Sequence, residues 1–179
     1  LALRVIEEIS EKNNRHIPRI LYHWRAIQGS VALSSEEKPY AHERAREAIR
    51  AHLERTGKRA KVIETKWNFH RVCYELPENL PSITVIFYSI ETAEEQEFRQ
   101  IFLPDVETVF VSEANAEKLN SAVLQSNGEI LIFVDNNLKN LPADWLSELV
   151  GFAIQTEIGA VGAKILNHDK TILDSGLII

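Results

Sequence analysis

The run Ser82-Ile83-Thr84-Val85-Ile86-Phe87-Tyr88 limits the possible folds more than any other stretch of the chain. It is almost continuously apolar and rich in β-branched residues, the pattern of a strand buried on both faces in a parallel sheet. Two more segments read the same way, Glu107 to Val111 and Ile130 to Val134. Helical patterns alternate with them. Glu91 to Phe102 is acidic and helical, and Ala114 to Ser126 turns Leu119, Ala122 and Val123 inward until Asn127-Gly128 stops it. Asp144 stands where a side-chain cap is wanted, before a helix with Trp145, Leu146, Leu149 and Val150 on its apolar side. Gly159 to Ile165 reads as a fourth strand built from small residues. Such alternation predicts an α/β fold with an open, mostly parallel sheet. Ile83–Phe87, Val109–Val111, Ile130–Val134 and Ala160–Ile165 are expected to share it. Ligands of such sheets bind beyond the carboxyl ends of the strands, and Asp135 sits at one of those ends.

The first 81 residues have a different character. They carry a net charge of +4, whereas residues 82–179 carry −10, which together make the −6 of the whole chain. The change falls at Leu76-Pro77-Glu78-Asn79-Leu80-Pro81, a stiff connector that neither a helix nor a central strand tolerates. The sequence therefore divides into modules 1–81 and 82–179. In the first, Ala2, Val5, Ile6 and Ile9 make a helical stripe that Asn13-Asn14 ends. Ile17 to Trp24 reads as a strand, and residues 26–35 as a polar loop. Tyr40 to Thr56 is the clearest helix, with Ala41, Ala45, Ala48, Ile49 and Leu53 on one face and Gly57 where a left-handed residue is needed. Lys61 to Glu75 suggests two strands around Lys66-Trp67-Asn68, with Val72 and Tyr74 facing together.

His16, Arg19, Tyr22, His23, Trp24 and Arg25 form a basic, aromatic cluster. It could stack on a sugar ring and grip phosphate. The plainer alternative is a strand with Tyr22 and Trp24 packed on one face and the charges solvated on the other. An unpaired strand of this kind would seek another edge, either the Lys61–Glu75 hairpin of the same chain or the equivalent strand of a second copy, which allows a homodimer.

Composition excludes several classes. At 45% hydrophobic and 26% charged, the chain matches soluble globular proteins. No run of 18 apolar residues suggests a membrane span. A lone Cys73 excludes a disulfide framework and a cysteine zinc cluster, and fits a reducing, cytoplasmic setting. The negative total argues against a nucleic-acid surface. There is no Met and the chain opens inside a helical pattern, so it reads as a segment of a longer protein, and its first residues show no secretory signal pattern. No G-x-G-x-x-G follows a strand, Gly159–Lys164 lacks the spacing of a phosphate loop, and no serine has the context of a nucleophile elbow.

Three blocks carry a resemblance: Gly128 to Asn137, Pro142 to Leu146, and Gly159 to Leu166. Together they resemble glycosyltransferase family 2, inverting enzymes of the GT-A fold, and Thr171 to Gly176 fits that family's next loop. The first module resembles the join between two tandem domains of this family, through Leu1-Ala2-Leu3-Arg4, His16 to Arg25, Lys38 to Ala41, the helix to Gly57, and Arg71-Val72. On that basis residues 1–81 are the tail of a preceding domain plus connector, and 82–179 a partial, shortened GT-A-like domain.

The resemblance implies sugar transfer from a nucleotide sugar to a glycan or related acceptor. It also implies magnesium or manganese held at an Asp-x-Asp element, here Asp135 with Asn137 in the second acidic position. An amide carbonyl can ligate such an ion but brings no negative charge, and without the resemblance Asp135-Asn136-Asn137 is equally a polar turn. The stretches that face the nucleotide in the family correspond to Tyr88-Ser89-Ile90-Glu91 and Ser112-Glu113-Ala114, which makes Ser89, Glu91 and Glu113 the candidate contacts. Both stretches depart from the family pattern, a strand-helix unit is missing, and the acidic base lies outside the chain. Weak nucleotide and metal binding and little activity are expected of this segment alone. The rival expectation is a non-catalytic domain that serves as scaffold or partner-binding module.

Overall fold

Parallel strands buried on both faces need a helix on each side, and that requirement organises the second half of this chain. The computed structural model describes residues 1–27, 39–66, 69–89, 106–138 and 140–176. The chain divides into two compact units, Leu1–Glu75 and Leu76–Ile179.

The first unit contains α1 (Ala2–Glu8), one 3-10 turn at Glu11–Asn13, α2 (Pro39–Arg55), β1 (Ala60–Glu64) and β2 (His70–Tyr74). Gly57 takes the left-handed conformation at φ +69°. Its N–H donates to Glu54 O at 3.2 Å and the Lys58 N–H donates to Leu53 O at 2.8 Å, the paired bonds that close a helix C-terminus. The chain then enters an antiparallel hairpin in which Val62 faces Val72 and Ala60 faces Tyr74. Leu53 and Val62 are the buried residues of this unit among the described residues. The Arg50 guanidinium donates to Val62 O at 3.2 Å, and Arg46 pairs with Glu64 at 2.7 Å, so α2 is held along β1.

The second unit contains β3 (Ile83–Tyr88), β4 (Glu107–Val111), α3 (Ala116–Gln125), β5 (Ile130–Asp135), α4 (Trp145–Ala153), β6 (Ile165–Leu166) and β7 (Ile172–Asp174). β3 is central in a three-stranded sheet of order β4-β3-β5, and both pairings are parallel. The side-chain period of two divides the core. Ile83, Val85 and Phe87 join Ile132 and Val134 beneath Leu146 and Val150 of α4. Ile86 on the opposite face joins Val111 beneath Ala122 of α3. Val85, Ile86 and Phe87 are 0% exposed. The unit is the α/β, parallel-sheet fold expected, in shortened form.

A polar latch closes the amino-terminal end of the sheet. The fully buried Thr84 hydroxyl donates to Glu107 and accepts from the Gly128 N–H at 2.9 Å. Glu107 also accepts from the Asn127 backbone and side-chain nitrogens, each at 2.8 Å. Position 128 must be glycine for close approach: a Cβ there would lie 2.5 Å from Thr84 Oγ1 and 2.9 Å from the Ile83 carbonyl carbon.

Five expectations change. Ile17–Trp24 forms no strand, and Ile17, Ile20, Leu21, Tyr22 and Trp24 are exposed. Its apolar pattern is genuine, but a strand needs a ladder partner, and none pairs with it among the described residues. Residues 159–164 do not extend the parallel sheet. Only Ile165–Leu166 is strand, paired antiparallel with β7 across the tight Asn167–Thr171 turn. Gly159, Ala160, Gly162 and Ala163 offer little surface to bury and much backbone entropy to lose, so the short-range hairpin wins. On α1 the apolar stripe is exposed at Val5 and Ile6, while Glu7 turns to α2. On α2, Ala41 and Ala48 are exposed, and the covered face runs through His42, Ala45, Ile49 and Leu53. Asp144 occupies the cap position without a side-chain cap bond, and α4 instead starts from a turn in which Trp145 N donates to Pro142 O at 3.1 Å. The helix expected at Glu91–Phe102 and the turn at Trp67-Asn68 lie outside the described residues.

Candidate functional site at the carboxyl ends of the strands

The strand order creates the site. From β3 the chain reaches β4 on one side, then crosses through α3 to β5 on the other side. Where the strand order reverses in this way, a crevice opens between the carboxyl ends of the two neighbouring strands. Here that switch point lies between the ends of β3 and β5, where Tyr88 is the register partner of Asp135.

Four local features define it. Ser89 follows β3 in the left-handed region at φ +62°. The Asn136 N–H donates to Tyr88 O at 3.1 Å, adding one rung beyond the strands. The Asn136 side chain, in a residue 6% exposed, folds back so that Nδ2 donates to Ser89 O at 3.3 Å. The Asn137 backbone N–H and Nδ2 donate to Asp135 Oδ1 at 2.9 and 2.8 Å. Asp135 is half-buried and Asn137 is exposed. Burial, then the negative charge of Asp135, pushes the Tyr88 hydroxyl above its ordinary pKa.

Ser89, Asp135 and Asn137 are thus brought together at one mouth. Glu113 stands beyond the end of β4, and its carboxylate is engaged by the start of α3. Lys118 Nζ lies 2.9 Å from one oxygen and Asn115 Nδ2 donates to the other at 3.1 Å. The hydrogen bond and charge of Lys118 hold the Glu113 pKa below the usual carboxylate range. Glu91 lies outside the described residues. Sequence reasoning missed Tyr88 and Asn136. The signal for Asn136 was its place directly after a buried strand, but its role depends on a turn 47 residues earlier.

The donors fit a hard cation only in part. Asp135 offers a carboxylate at the right place. Asn137 turns its amide nitrogen to that carboxylate, so placing its oxygen on a shared ion would require breaking that bond. Among the described residues no three His, Cys, Asp or Glu side chains converge on a metal position. The cluster from His16 to Arg25 is exposed throughout. An open groove of about 680 Å³ lies in the first unit, lined by Arg50, Lys58, Arg59, Lys61, Glu54 and Glu75 among others, and contains none of the expected site residues. Among the described residues no helix is long and apolar enough to cross a membrane.

Two curated proteins are similar to the whole chain. An uncharacterized protein of Sinorhizobium fredii, y4gI, is 31% identical over 217 residues, and the chain spans 24% of its length. The O-antigen biosynthesis protein RfbC of Myxococcus xanthus is 26% identical over 213 residues, and the chain spans 16% of its length. No protein-family profile matches the chain, and no solved structure matches it.

Proposed function

We propose that this chain is part of a protein of polysaccharide biosynthesis. In this reading its second unit is a shortened nucleotide-sugar-binding domain of a family-2-like glycosyltransferase. The observation that carries this is the placement of Asp135 at the β3–β5 switch point beside the Ser89 turn, where an open parallel sheet binds ligands. The similarity to a protein named for O-antigen biosynthesis supports the sugar chemistry. Ser89, Glu91 and Glu113, the contacts that the family resemblance implies, would face the nucleotide. Asp135, with Asn137 beside it, would hold magnesium or manganese, whose charge stabilises a diphosphate leaving group. The first unit is the tail of a preceding domain with its connector.

A second reading has its own observation. The second acidic position is an amide already bonded to Asp135, and one carboxylate holds a divalent ion weakly. That favours a degenerate, non-catalytic domain acting as scaffold or partner-binding module. Calorimetry with UDP and manganese separates the two. Binding that is weaker than about 10 μM, or −7 kcal/mol, and is lost in Asp135→Asn supports a weakened nucleotide site. Binding unaffected by Asp135→Asn removes that assignment, and no binding at millimolar UDP favours the scaffold.

A further inference from the structure

The polar residue most deeply buried at the switch point is Asn136, to which the proposed site assigns no role. Its backbone N–H donates to Tyr88 O at 3.1 Å and its side-chain Nδ2 donates to Ser89 O at 3.3 Å. One residue at the end of β5 thus holds two successive carbonyls at the end of β3. The second belongs to Ser89, whose φ of +62° is a conformation that a residue with a Cβ adopts only when its surroundings impose it. No intrinsic preference of serine selects that turn, as glycine's freedom would. The Asn136 amide is a restraint that does select it, and as a 6% exposed side chain it is fixed among its neighbours.

We propose that Asn136 is a positioning residue: its side-chain amide locks Ser89 in the left-handed turn and so sets the nucleotide side of the β3–β5 mouth. The backbone part of this stands on the geometry, and the nucleotide part rests on the function proposed above. The coupling also explains how a chain with a shortened sheet keeps a defined strand end there. Asn136 fastens the turn after β3 directly to β5, 47 residues away.

The test is a double-mutant cycle with two readouts, the Ser89 Cα and Cβ chemical shifts, which report its φ, and the affinity for UDP with manganese. Asn136→Ala should move the Ser89 shifts out of the left-handed range. It should weaken UDP about fivefold with serine at 89 but only about twofold with glycine there, because glycine does not need the restraint. Asn136→Asp keeps the side-chain volume but cannot donate when ionised, and should behave like the alanine variant. Unchanged Ser89 shifts in both variants overturn the proposal. So does an equal loss of affinity with serine and with glycine at 89. If both Asn136 variants lose the fold, Asn136 serves stability alone and the proposal also fails. If the unmutated chain binds no UDP, the nucleotide reading fails, while the Ser89 shifts still decide the positioning role.

Discussion

Tyr88 and Asp135 lie opposite each other across the parallel pair β3–β5, at the last rung before both strands end. Burial raises the phenol pKa, and the carboxylate opposite raises it further, because each negative charge disfavours the other. Asp135→Asn keeps an oxygen to accept from Asn137 and removes only the charge. The variant should lower the Tyr88 pKa part of the way towards 10.0, leaving the share due to burial. Following the Tyr88 ring resonances through an alkaline titration measures this directly. An unchanged midpoint would mean that the two groups do not sense each other.

Gly128→Ala should destabilise the second unit. The added methyl would collide with the Thr84 backbone and hydroxyl and with Ile83, none of which can retreat from a central strand. Overpacking of this kind costs roughly 1–3 kcal/mol, read as a lower urea midpoint. An unaffected midpoint would show that the Asn127–Gly128 segment is not seated on β3.

Glu7 joins α1 to α2. Its carboxylate receives the Arg55 guanidinium through two bonds at 2.6 and 2.7 Å, and His52 Nδ1 lies 2.6 Å from the same group. The Arg55 hydrogen bonds, then that of His52, lower its pKa from 4.5 to about 2. A carboxylate whose folded pKa is depressed contributes stability that is present above its unfolded pKa and lost as pH falls through the folded one. The window is therefore pH 4.5 down to about 2. Urea unfolding across that range should show the chain losing more stability than Glu7→Gln, the two curves converging at the acid end. Parallel curves would place Glu7 in solvent.

The central architecture was legible because it follows from local patterns. Five successive buried residues from Ile83 to Phe87 can only be a strand covered on both faces, and the apolar sides of α3 and α4 supply the cover. Pairing was not legible where it depends on a distant partner. Ile17–Trp24 has the residues of a strand but no ladder, and Ile165 pairs with Asp174 through a nearby turn rather than joining the larger sheet. Asp135 could be placed at a strand end from sequence, because the apolar run before it stops there. Asn136 could not be singled out, because its side-chain partner is the carbonyl of Ser89, just past the end of β3 and 47 residues earlier.

Trp24 tests the missing strand. It is 64% exposed, and residues 17–24 carry no ladder. Trp24→Glu should leave the urea midpoint of the isolated chain almost unchanged, since surface substitutions away from special features stay within about ±0.5 kcal/mol. A loss above about 1 kcal/mol would mean that the side chain is covered in solution.

Asn115 supplies the cap that Asp144 does not. Its Oδ1 accepts from the Lys118 N–H at 2.9 Å, while its Nδ2 donates to Glu113 at 3.1 Å. Asn115→Ala removes both bonds. The lost cap should cost about 1 kcal/mol, within the usual range of roughly 0.5–2. Glu113 should stay below the usual carboxylate range, because Lys118 is the larger cause of its low pKa and Asn115 a smaller one. Urea unfolding and a carboxyl-resolved NMR titration of the same variant read the two effects separately. A Glu113 pKa that returns to 4.5 with Lys118 intact would mean that the cap, and not the ion pair, holds this carboxylate beside the end of β4.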